Sequence, residues 1–127
     1  MSNIKYREAK SSDWDSIKFI ISLYPKILMQ DHLPNWSKFF VAEADGRVVG
    51  CVAIDIYSKR IGEIRSLAVL PDYQEQGIGT HLVELCLSKA KAKSVSEIIT
   101  ITGTEKLFQK FGFSTFNNER IALFKIL

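Results

Sequence analysis

The stretch that decides the fold is Leu67-Ala68-Val69-Leu70-Pro71-Asp72-Tyr73-Gln74-Glu75-Gln76-Gly77-Ile78-Gly79-Thr80. Its first four residues are apolar and predict a strand, and an amphipathic helix is predicted from His81 onward. The loop between them contains two glycines, which let an anion approach the main chain closely. Backbone N–H groups also lack partners at the start of a helix. The stretch therefore predicts a strand, a loop and a helix start that together bind a phosphate group.

Spacing alone leaves a second interpretation open, because loops with two glycines also join strands to helices in proteins that bind no phosphate. A dinucleotide fingerprint requires a third glycine three residues after Gly79, but that residue is Leu82. The loop also lacks the Gly-Lys-Ser/Thr ending of a P-loop. These two classes of nucleotide site are therefore excluded.

The same stretch resembles the acetyl-CoA-binding motif of the GCN5-related N-acetyltransferase (GNAT) family, which is Gln/Arg-x-x-Gly-x-Gly/Ala after a Leu-Ala-Val strand. The matching residues are Leu67, Ala68, Val69, Pro71, Tyr73, Gln74, Gly77 and Gly79. A second segment, Leu107 to Phe113, is similar to the family's Phe-Tyr-Glu-Lys-Leu-Gly-Phe segment, which closes the cofactor site from the other side. The resemblance covers most of the chain and implies that acetyl-CoA is the cosubstrate.

The resemblance also implies which residues hold the cofactor. The main chain of Leu67 and Val69 would contact the pantetheine arm, and the amides from Gln74 to Thr80 would hold the pyrophosphate. The residues implied in cofactor binding are Leu67, Ala68, Val69, Gln74, Glu75, Gln76, Gly77, Ile78, Gly79, Thr80, Thr102, Phe108 and Phe111.

Hydrophobic periodicity predicts one α/β (α+β) domain over residues 1–127, with a mixed sheet of about seven strands and helices on both faces. The predicted strands are 4–7, 39–42, 48–54, 61–69, 97–101, 113–116 and 121–126. The predicted helices are 11–24, a short helix or loop within 26–37, a long helix from about residue 79, and 105–110. The resemblance implies the GNAT fold, in which the fourth and fifth strands are parallel and splay apart.

Acetyl transfer to an amine needs an unprotonated nitrogen and a stabilised oxyanion. A primary amine with a pKa near 10 is only about 0.1 % neutral at pH 7, so a carboxylate base is useful. Glu63 is the candidate base, because many acetyltransferases carry a glutamate four residues before the position of Leu67. A solvated strand carboxylate is the alternative interpretation of Glu63. The resemblance implies that the backbone N–H of Val69 stabilises the oxyanion.

Phe108 departs from the family pattern. Many members place a tyrosine there to protonate the CoA thiolate, and phenylalanine cannot donate a proton. A thiol with a pKa near 8.5 is nevertheless a tolerable leaving group, so activity is not excluded. Water, Thr102, Thr104 or Ser114 could supply the proton, and we expect Phe108 to pack against the cofactor arm. A sensor or regulatory module that binds acetyl-CoA or CoA without chemistry stays open as the alternative function.

The acceptor amine is indicated only by a finer resemblance. The Ile99-Thr100-Ile101-Thr102 strand, Phe108 and the Leu67-Ala68-Val69 context are similar to the acetyltransferase domains of N-acetylglutamate synthases. This resemblance implies a small amine such as an amino acid, whose carboxylate Arg65 or Arg60 could bind. Protein N-termini and lysine side chains stay open as other acceptors.

The composition bounds the class of protein. Hydrophobic residues make up 46 % and charged residues 24 % of the chain, which excludes disordered and fibrous classes. We expect a cytoplasmic protein without a membrane partner, because no apolar run approaches the roughly 18 residues of a bilayer span and no signal-peptide pattern precedes the first strand. The net charge of +3 is mild and its basic residues are spread out, so no nucleic-acid partner is expected.

Three smaller features complete the sequence analysis. Cys51 and Cys86 lie in apolar contexts outside any Cys-x-x-Cys pair and are predicted to be buried thiols. His32 and His81 are far apart, and neither has a second ligand four residues on, so no metal site is predicted. The apolar segment 121–126 is predicted to complete the sheet, or else to pair with a second copy in a homodimer.

Overall fold

Five strands and three α-helices make up the regular structure in the computed structural model, which describes residues 3–115, 123 and 125–127. The strands are β1 (Ile4–Glu8), β2 (Phe39–Ala44), β3 (Arg47–Ile56), β4 (Ile61–Val69) and β5 (Glu97–Thr100). The α-helices are α1 (Trp14–Ser22), α2 (Ile78–Ala92) and α3 (Glu105–Gln109). Single 3-10 turns cover Ser11–Asp13, Trp36–Lys38 and Pro71–Tyr73.

The strands form one mixed sheet in the order β1-β2-β3-β4-β5. The pairs β1–β2, β2–β3 and β3–β4 are antiparallel, whereas β4 and β5 are parallel. The prediction of a mixed α/β sheet in one domain with the GNAT order is therefore confirmed for these elements. The turn between β2 and β3 has positive φ at both Asp45 and Gly46, which is the type I′ geometry that an Asp-Gly pair favours.

The predicted number of about seven strands is wrong for the residues that the structure describes, which contain five. Residues 113–115 form no strand, because Phe113 turns back onto α3, where its N–H donates to the carbonyl oxygen of Phe108 at 3.3 Å. Phe116, which would end the predicted sixth strand, and half of the predicted seventh strand, residues 121, 122 and 124, lie outside the described residues. The proposed homodimer through that last segment stays a prediction.

The segment 26–37 contains no α-helix, which leaves three α-helices where the prediction allowed four. The N–H groups of Ile27 and Leu28 both donate to the carbonyl oxygen of Tyr24, closing a single turn beyond α1. Pro34 and Asn35 then precede the 3-10 turn, as expected for residues that interrupt a helix. This segment is therefore a loop.

The two long helices pack on opposite faces of the sheet. A Cβ atom built on Gly50 would lie 3.2 Å from Cγ2 of Ile78, so Gly50 faces α2. Phe39 instead packs edge to face against Trp14, at the start of α1, with ring centroids 6.0 Å apart. Because successive side chains of a strand point to opposite faces, the residues at odd steps from Gly50 along β3, such as Cys51, face α1.

The buried core lies in both layers between the helices and the sheet. Its largest fully buried side chains include Ile17, Ile20 and Ile21 of α1 and Ile78, Leu82 and Val83 of α2. Cys51 and Cys86 are buried, and burial raises the pKa of each thiol to about 12, so neither is a nucleophile. Within the described ranges, no helix is both long and apolar enough to span a bilayer.

Two irregularities in β4 create a gap in the sheet. β4 pairs with β5 only from Ile61 to Ile64, so its residues from Arg65 to Val69 have a neighbouring strand on one side alone. On the β3 side, Arg65 pairs with Ala53 and Ala68 pairs with Cys51, which leaves one extra residue in β4. This bulge contains Ser66, whose φ of +57° is unusual for a residue with a Cβ. The splay implied by the family resemblance is therefore present.

Candidate active site

A cavity of about 60 Å³, the splay cavity, lies where β4 and β5 diverge. Its lining residues are Ile27, Leu28, Ile64, Arg65, Ser66, Leu67, Thr100, Ile101, Thr102, Gly103, Thr104 and Phe108. Three predicted cofactor residues, Leu67, Thr102 and Phe108, thus meet around one opening. A larger groove of about 240 Å³ lies between α1 and the start of β3 and is lined by none of the predicted site residues.

The main chain of Val69 faces the open side of β4. The next residue, Leu70, donates its N–H to the carbonyl oxygen of Val49 at 2.8 Å, which directs the backbone of Leu70 toward β3. Backbone groups alternate in direction along a strand, so the N–H and carbonyl of Val69 point away from β3. An acyl oxygen in the gap could therefore reach the Val69 N–H.

The carbonyl oxygen of Val69 already has two partners. The hydroxyl of Tyr24, just beyond α1, donates to it, and the side-chain amide of Gln74 donates to it at 3.2 Å. The same amide lies 2.7 Å from the Tyr24 hydroxyl. Gln74 therefore ties the loop that follows β4 to the end of the strand. No local pattern in the sequence marks Tyr24 for this role, because its partner Val69 lies 45 residues away along the chain.

Residues 74–80, the glycine loop, comprise the turn before α2 and the first three residues of that helix. Glu75 and Gly77 both have left-handed φ values, +62° and +84°. Left-handed residues alternating with ordinary ones turn successive N–H groups toward one point, which makes an anion-binding concavity. Gly77 immediately precedes the first residue of the 15-residue helix α2, so the positive end of the helix dipole adds to the attraction.

The two glycines of this loop differ in what they require. A side chain at Gly77 would meet no atom within 4 Å, so glycine is needed there for its φ rather than for space. A Cβ on Gly79 would lie 3.6 Å from Cδ2 of Leu107, an ordinary contact. Gly79 thus marks where α2 approaches α3, and the α3 side of the cofactor site lies next to the glycine loop.

The α3 side of the splay cavity is aromatic and hydroxylated. Phe108 is 3 % exposed and packs edge to face against Phe113, with ring centroids 5.4 Å apart. Phe111 is partly buried and packs against the core. The Thr102 and Thr104 hydroxyl oxygens are 3.0 Å apart, and both residues line the splay cavity. Of the three proposed protein proton donors, Ser114 alone is absent from the lining.

Glu63 lies on the face of the sheet that is covered by α1. It pairs across the sheet with Asp55 of β3 and with Ile99 of β5. The Tyr57 hydroxyl donates to Glu63 Oε1 at 2.5 Å. This hydrogen bond, as the largest cause, and burial, as the second, raise the pKa of Tyr57 to about 12. Asp55, Tyr57, Glu63 and Arg65 together form what we call the Glu63 face.

Cationic groups surround the carboxylates of the Glu63 face. Lys38 Nζ lies 2.6 Å from Oδ1 of Asp55. Arg65, two residues after Glu63 on β4, donates to the carbonyl oxygen of His32 at 3.2 Å. The loop after α1 is therefore held against this face. Lys38, Asp55 and Tyr57 carried no signal in the sequence, because each gains its partner only through the sheet.

The arrangement divides the site between the two faces of the sheet. The glycine loop leads into α2 on one face, and the Glu63 face lies under α1 and its loop on the other. The gap beside Arg65 to Val69 connects them. Within the described part of the chain, no group of three or more His, Cys, Asp or Glu side chains could hold a metal ion.

Comparisons with known proteins agree with this geometry. A sequence profile of the Acetyltransferase (GNAT) family matches residues 6–113. The amino-acid acetyltransferase of Mycobacterium tuberculosis is 33 % identical over 116 residues, which are 85 % of this chain and 67 % of that protein.

Solved structures extend the comparison to bound ligands. Rv2747 from Mycobacterium tuberculosis, solved with CoA and the ligand NLQ, has a TM-score of 0.81 and 32 % identity, covering 87 % of this chain and 71 % of that one. N-acetylglutamate synthase from Neisseria gonorrhoeae, solved with CoA and N-acetyl-glutamate, has a TM-score of 0.76 and 27 % identity. It covers 87 % of this chain, which spans 28 % of the synthase.

The family match includes both segments that carried the resemblance, 67–80 and 107–113, and the two solved relatives hold CoA on the same fold. The finer similarity to N-acetylglutamate synthases is confirmed as well. The chain is therefore an N-acetyltransferase that uses acetyl-CoA, and it belongs to the Acetyltransferase (GNAT) family.

Proposed function

We propose that the acceptor of this acetyltransferase is a small α-amino acid, which receives the acetyl group directly from acetyl-CoA. The observation that carries the proposal is the placement of Glu63 and Arg65 on one face of β4, with Arg65 lining the splay cavity. Residues two apart on a strand lie about 7 Å apart on the same face. An α-amino acid whose carboxylate binds Arg65 would direct its amine toward the open edge of β4, and the amine proton would reach Glu63 through water.

Arg65 has donors left for such a carboxylate. A guanidinium carries five N–H groups, and the described contacts of Arg65 use NH2 alone, to the His32 carbonyl and, at 3.8 Å, to the Met29 sulfur. A carboxylate bound by two parallel N–H groups is the strongest pairing that arginine makes. The names of the relatives support this acceptor class, since one is an amino-acid acetyltransferase and another was solved with N-acetyl-glutamate.

For the cofactor, we propose that the pyrophosphate lies on the glycine loop and that the pantetheine arm runs along the open edge of β4 at Leu67 and Val69. The outward N–H of Val69 and the left-handed backbone at Gly77 support this position. Phe108, at the cavity wall, would pack against the arm.

In the reaction, the amine nitrogen forms a bond to the acetyl carbon to give a tetrahedral oxyanion, and the carbon–sulfur bond then breaks. The amine loses a proton to Glu63, and the departing thiolate gains one. Glu63 and Val69 are six residues apart, at most about 20 Å along the strand, so the proton would travel through water rather than by direct contact. The Val69 N–H would stabilise the oxyanion between these events. Thr102, Thr104 or water would protonate the thiolate.

The proposal is tested by following CoA thiol release with the natural amino acids, their carboxamides, and peptides that present a free N-terminus or a lysine. We expect turnover with one or a few amino acids and at least tenfold lower kcat/KM with the matching carboxamide, which lacks the carboxylate. Turnover of the peptides alone would overturn the amino-acid proposal. Acetyl-CoA binding without turnover of any amine would favour the sensor alternative, for which Phe108 is the supporting observation.

The role of Arg65 is tested by comparing Arg65→Gln with Arg60→Gln. Arg60 lies in the β3–β4 turn, with its side chain 81 % exposed and Nε 3.6 Å from Glu97. We expect Arg65→Gln to raise the KM for the amino acid at least tenfold and to leave the KM for acetyl-CoA unchanged, because a charge-assisted hydrogen bond is lost. Arg60→Gln is expected to change neither. The opposite result would assign the carboxylate to Arg60.

A further inference from the structure

We propose that Tyr57 is a positioning residue for Glu63, which holds its carboxylate oriented for proton transfer. This inference rests on the proposed function, in which Glu63 is the base. Its basis is the Tyr57–Glu63 hydrogen bond of 2.5 Å between residues six apart, one directly after β3 and the other in β4. Nothing in the sequence motif of the family segment marks Tyr57.

The backbone at Tyr57 is fixed by the β3–β4 turn. The N–H groups of Tyr57 and Ser58 both donate to the carbonyl oxygen of Ile61, at 3.1 and 3.2 Å. The Ser58 hydroxyl in turn accepts from the N–H of Arg60 at 3.1 Å. The start of β5 also binds this turn, because the N–H of Glu97 donates to the Arg60 carbonyl at 2.8 Å. Tyr57 is therefore presented to Glu63 by a hydrogen-bonded turn on two strands.

The surrounding charges leave Glu63 dependent on Tyr57. Asp55 lies directly across the sheet from Glu63, but Lys38 neutralises it at 2.6 Å. Arg65, on the same strand face, is drawn toward the loop by the His32 carbonyl. Of the described contacts within hydrogen-bonding distance, the Tyr57 hydroxyl is the one that reaches a Glu63 oxygen. The loop also carries Lys26, Asp31 and His32, the β3–β4 turn carries Lys59 and Arg60, and β5 carries Glu97, whose Oε2 lies 3.6 Å from Arg60 Nε.

A neutral hydroxyl suits this task better than a cation. It donates one hydrogen bond to the Glu63 carboxylate and so fixes the direction of that side chain. It leaves the second oxygen of Glu63 free to accept a proton from water or amine. The Glu63 interaction raises the pKa of Tyr57 itself to about 12, so the hydroxyl stays protonated across the working pH range and competes for no proton.

The first test is the order of the Glu63 side chain in the ligand-free protein, followed by carbon-13 NMR relaxation of its carboxyl in the native chain and in Tyr57→Phe. We expect the carboxyl to become more mobile in the variant, because the hydrogen bond that orients it is lost. Tyr6→Phe is the matched control. It removes a hydroxyl on the α2 face, where the Tyr6 ring stacks on His81. Unchanged order of the Glu63 carboxyl in Tyr57→Phe would overturn the proposal without involving catalysis.

The second test is kinetic, a double-mutant cycle between Tyr57→Phe and Glu63→Gln. We expect Tyr57→Phe alone to lower kcat about tenfold, with the KM for acetyl-CoA unchanged, and to lower kcat less than twofold when Glu63→Gln is already present. Equal losses in both backgrounds would mean that Tyr57 acts independently of Glu63, which contradicts the proposal. If Glu63→Gln alone keeps full kcat, the base assignment fails instead, and the NMR result still reports whether Tyr57 controls the carboxyl.

Discussion

The glycine loop and the Glu63 face use different parts of the polypeptide. The glycine loop is built from main-chain amides, a left-handed glycine and a helix start, all within residues 74–80. The Glu63 face is built from side chains that come from different elements, such as Asp55 of β3 and Glu63 of β4. Lys38, from a separate turn, pairs with Asp55. The comparison teaches that a contiguous main-chain site can be recognised from spacing, whereas a site of converging side chains depends on the folded sheet.

The largest effect is expected where the main-chain site is broken. Gly77→Glu forces a residue with a Cβ into φ +84° and adds a carboxylate where the phosphates would bind. We expect acetyl-CoA affinity, measured by calorimetric titration, to fall at least 100-fold.

Gly46→Glu is the matched control for Gly77→Glu. Gly46 also has a positive φ, +76°, with nothing within 4 Å of an added Cβ, and it lies in the β2–β3 turn. It should cost similar stability and leave affinity intact. Equal loss of affinity in both variants would show that strain, rather than the anion site, explains the result.

The next effect concerns the side-chain half of the site. Glu63→Gln is expected to lower kcat about 100-fold while acetyl-CoA binding stays within twofold, because general-base catalysis is lost and the glycine loop is untouched. The loss should be most marked below the pKa of the amine. Glu97→Gln, a substitution on the neighbouring β5, is the control and should leave kcat unchanged. A parallel loss of acetyl-CoA affinity in Glu63→Gln would show that the glycine loop and the Glu63 face do not act separately.

A smaller effect is expected for the stability of the whole fold, which supports the glycine loop and the Glu63 face equally. The buried Asp13 accepts from Arg7 NH1 at 2.7 Å, and Arg7 also binds Glu43 at 2.9 Å. The hydrogen bond from Arg7, opposed by burial, lowers the pKa of Asp13. A lowered pKa stabilises the fold above the ordinary pKa of aspartate, and that stability is lost as the pH falls through the folded value.

Asp13→Asn should therefore reduce the free energy of unfolding by about 2 kcal/mol at pH 7, and by less at pH 3. Urea denaturation at both pH values measures the difference. Asp15→Asn, on the exposed side of α1, is the control. A loss of the same size at both pH values would contradict the electrostatic explanation.

The smallest effect is expected for Phe108→Tyr, which adds the hydroxyl that many family members carry. Phe108 lines the splay cavity near Thr102 and Thr104, whose hydroxyl oxygens could accept a hydrogen bond from the added hydroxyl. We expect acetyl-CoA affinity to change less than threefold by calorimetry. A tenfold or greater loss would show that the ring does not lie beside the cofactor arm as proposed.

Sequence patterns were sufficient for most strands and for the glycine loop, because hydrophobic alternation and glycine spacing are local signals. The strand 61–69 was predicted with the bounds that β4 has, and the Asp45-Gly46 turn follows from its dipeptide. The predicted number of strands was wrong for the described residues, because Phe113 packs against Phe108 of α3 instead of joining the sheet.

Two parts of the site could not be predicted from sequence. Tyr24 reaches Val69 across 45 residues, and Lys38 reaches Asp55 across 17, so neither pair leaves a local pattern. Glu63 was found only because the family resemblance pointed to it. Its partner Tyr57 became visible when the β3–β4 turn placed the two side chains together.

The bulge at Ser66 gives β4 two phases. Before it, Arg65 pairs with Ala53 and so points its side chain toward the α1 layer. After it, Ala68 pairs with Cys51 and points to that same layer, although the three-residue step between Arg65 and Ala68 would reverse direction in a regular strand. One additional residue thus resets the odd–even frame of the strand. In a regular strand without the bulge, the same sequence would exchange the inward and outward positions of everything downstream, including Val69, while leaving Glu63 where it is.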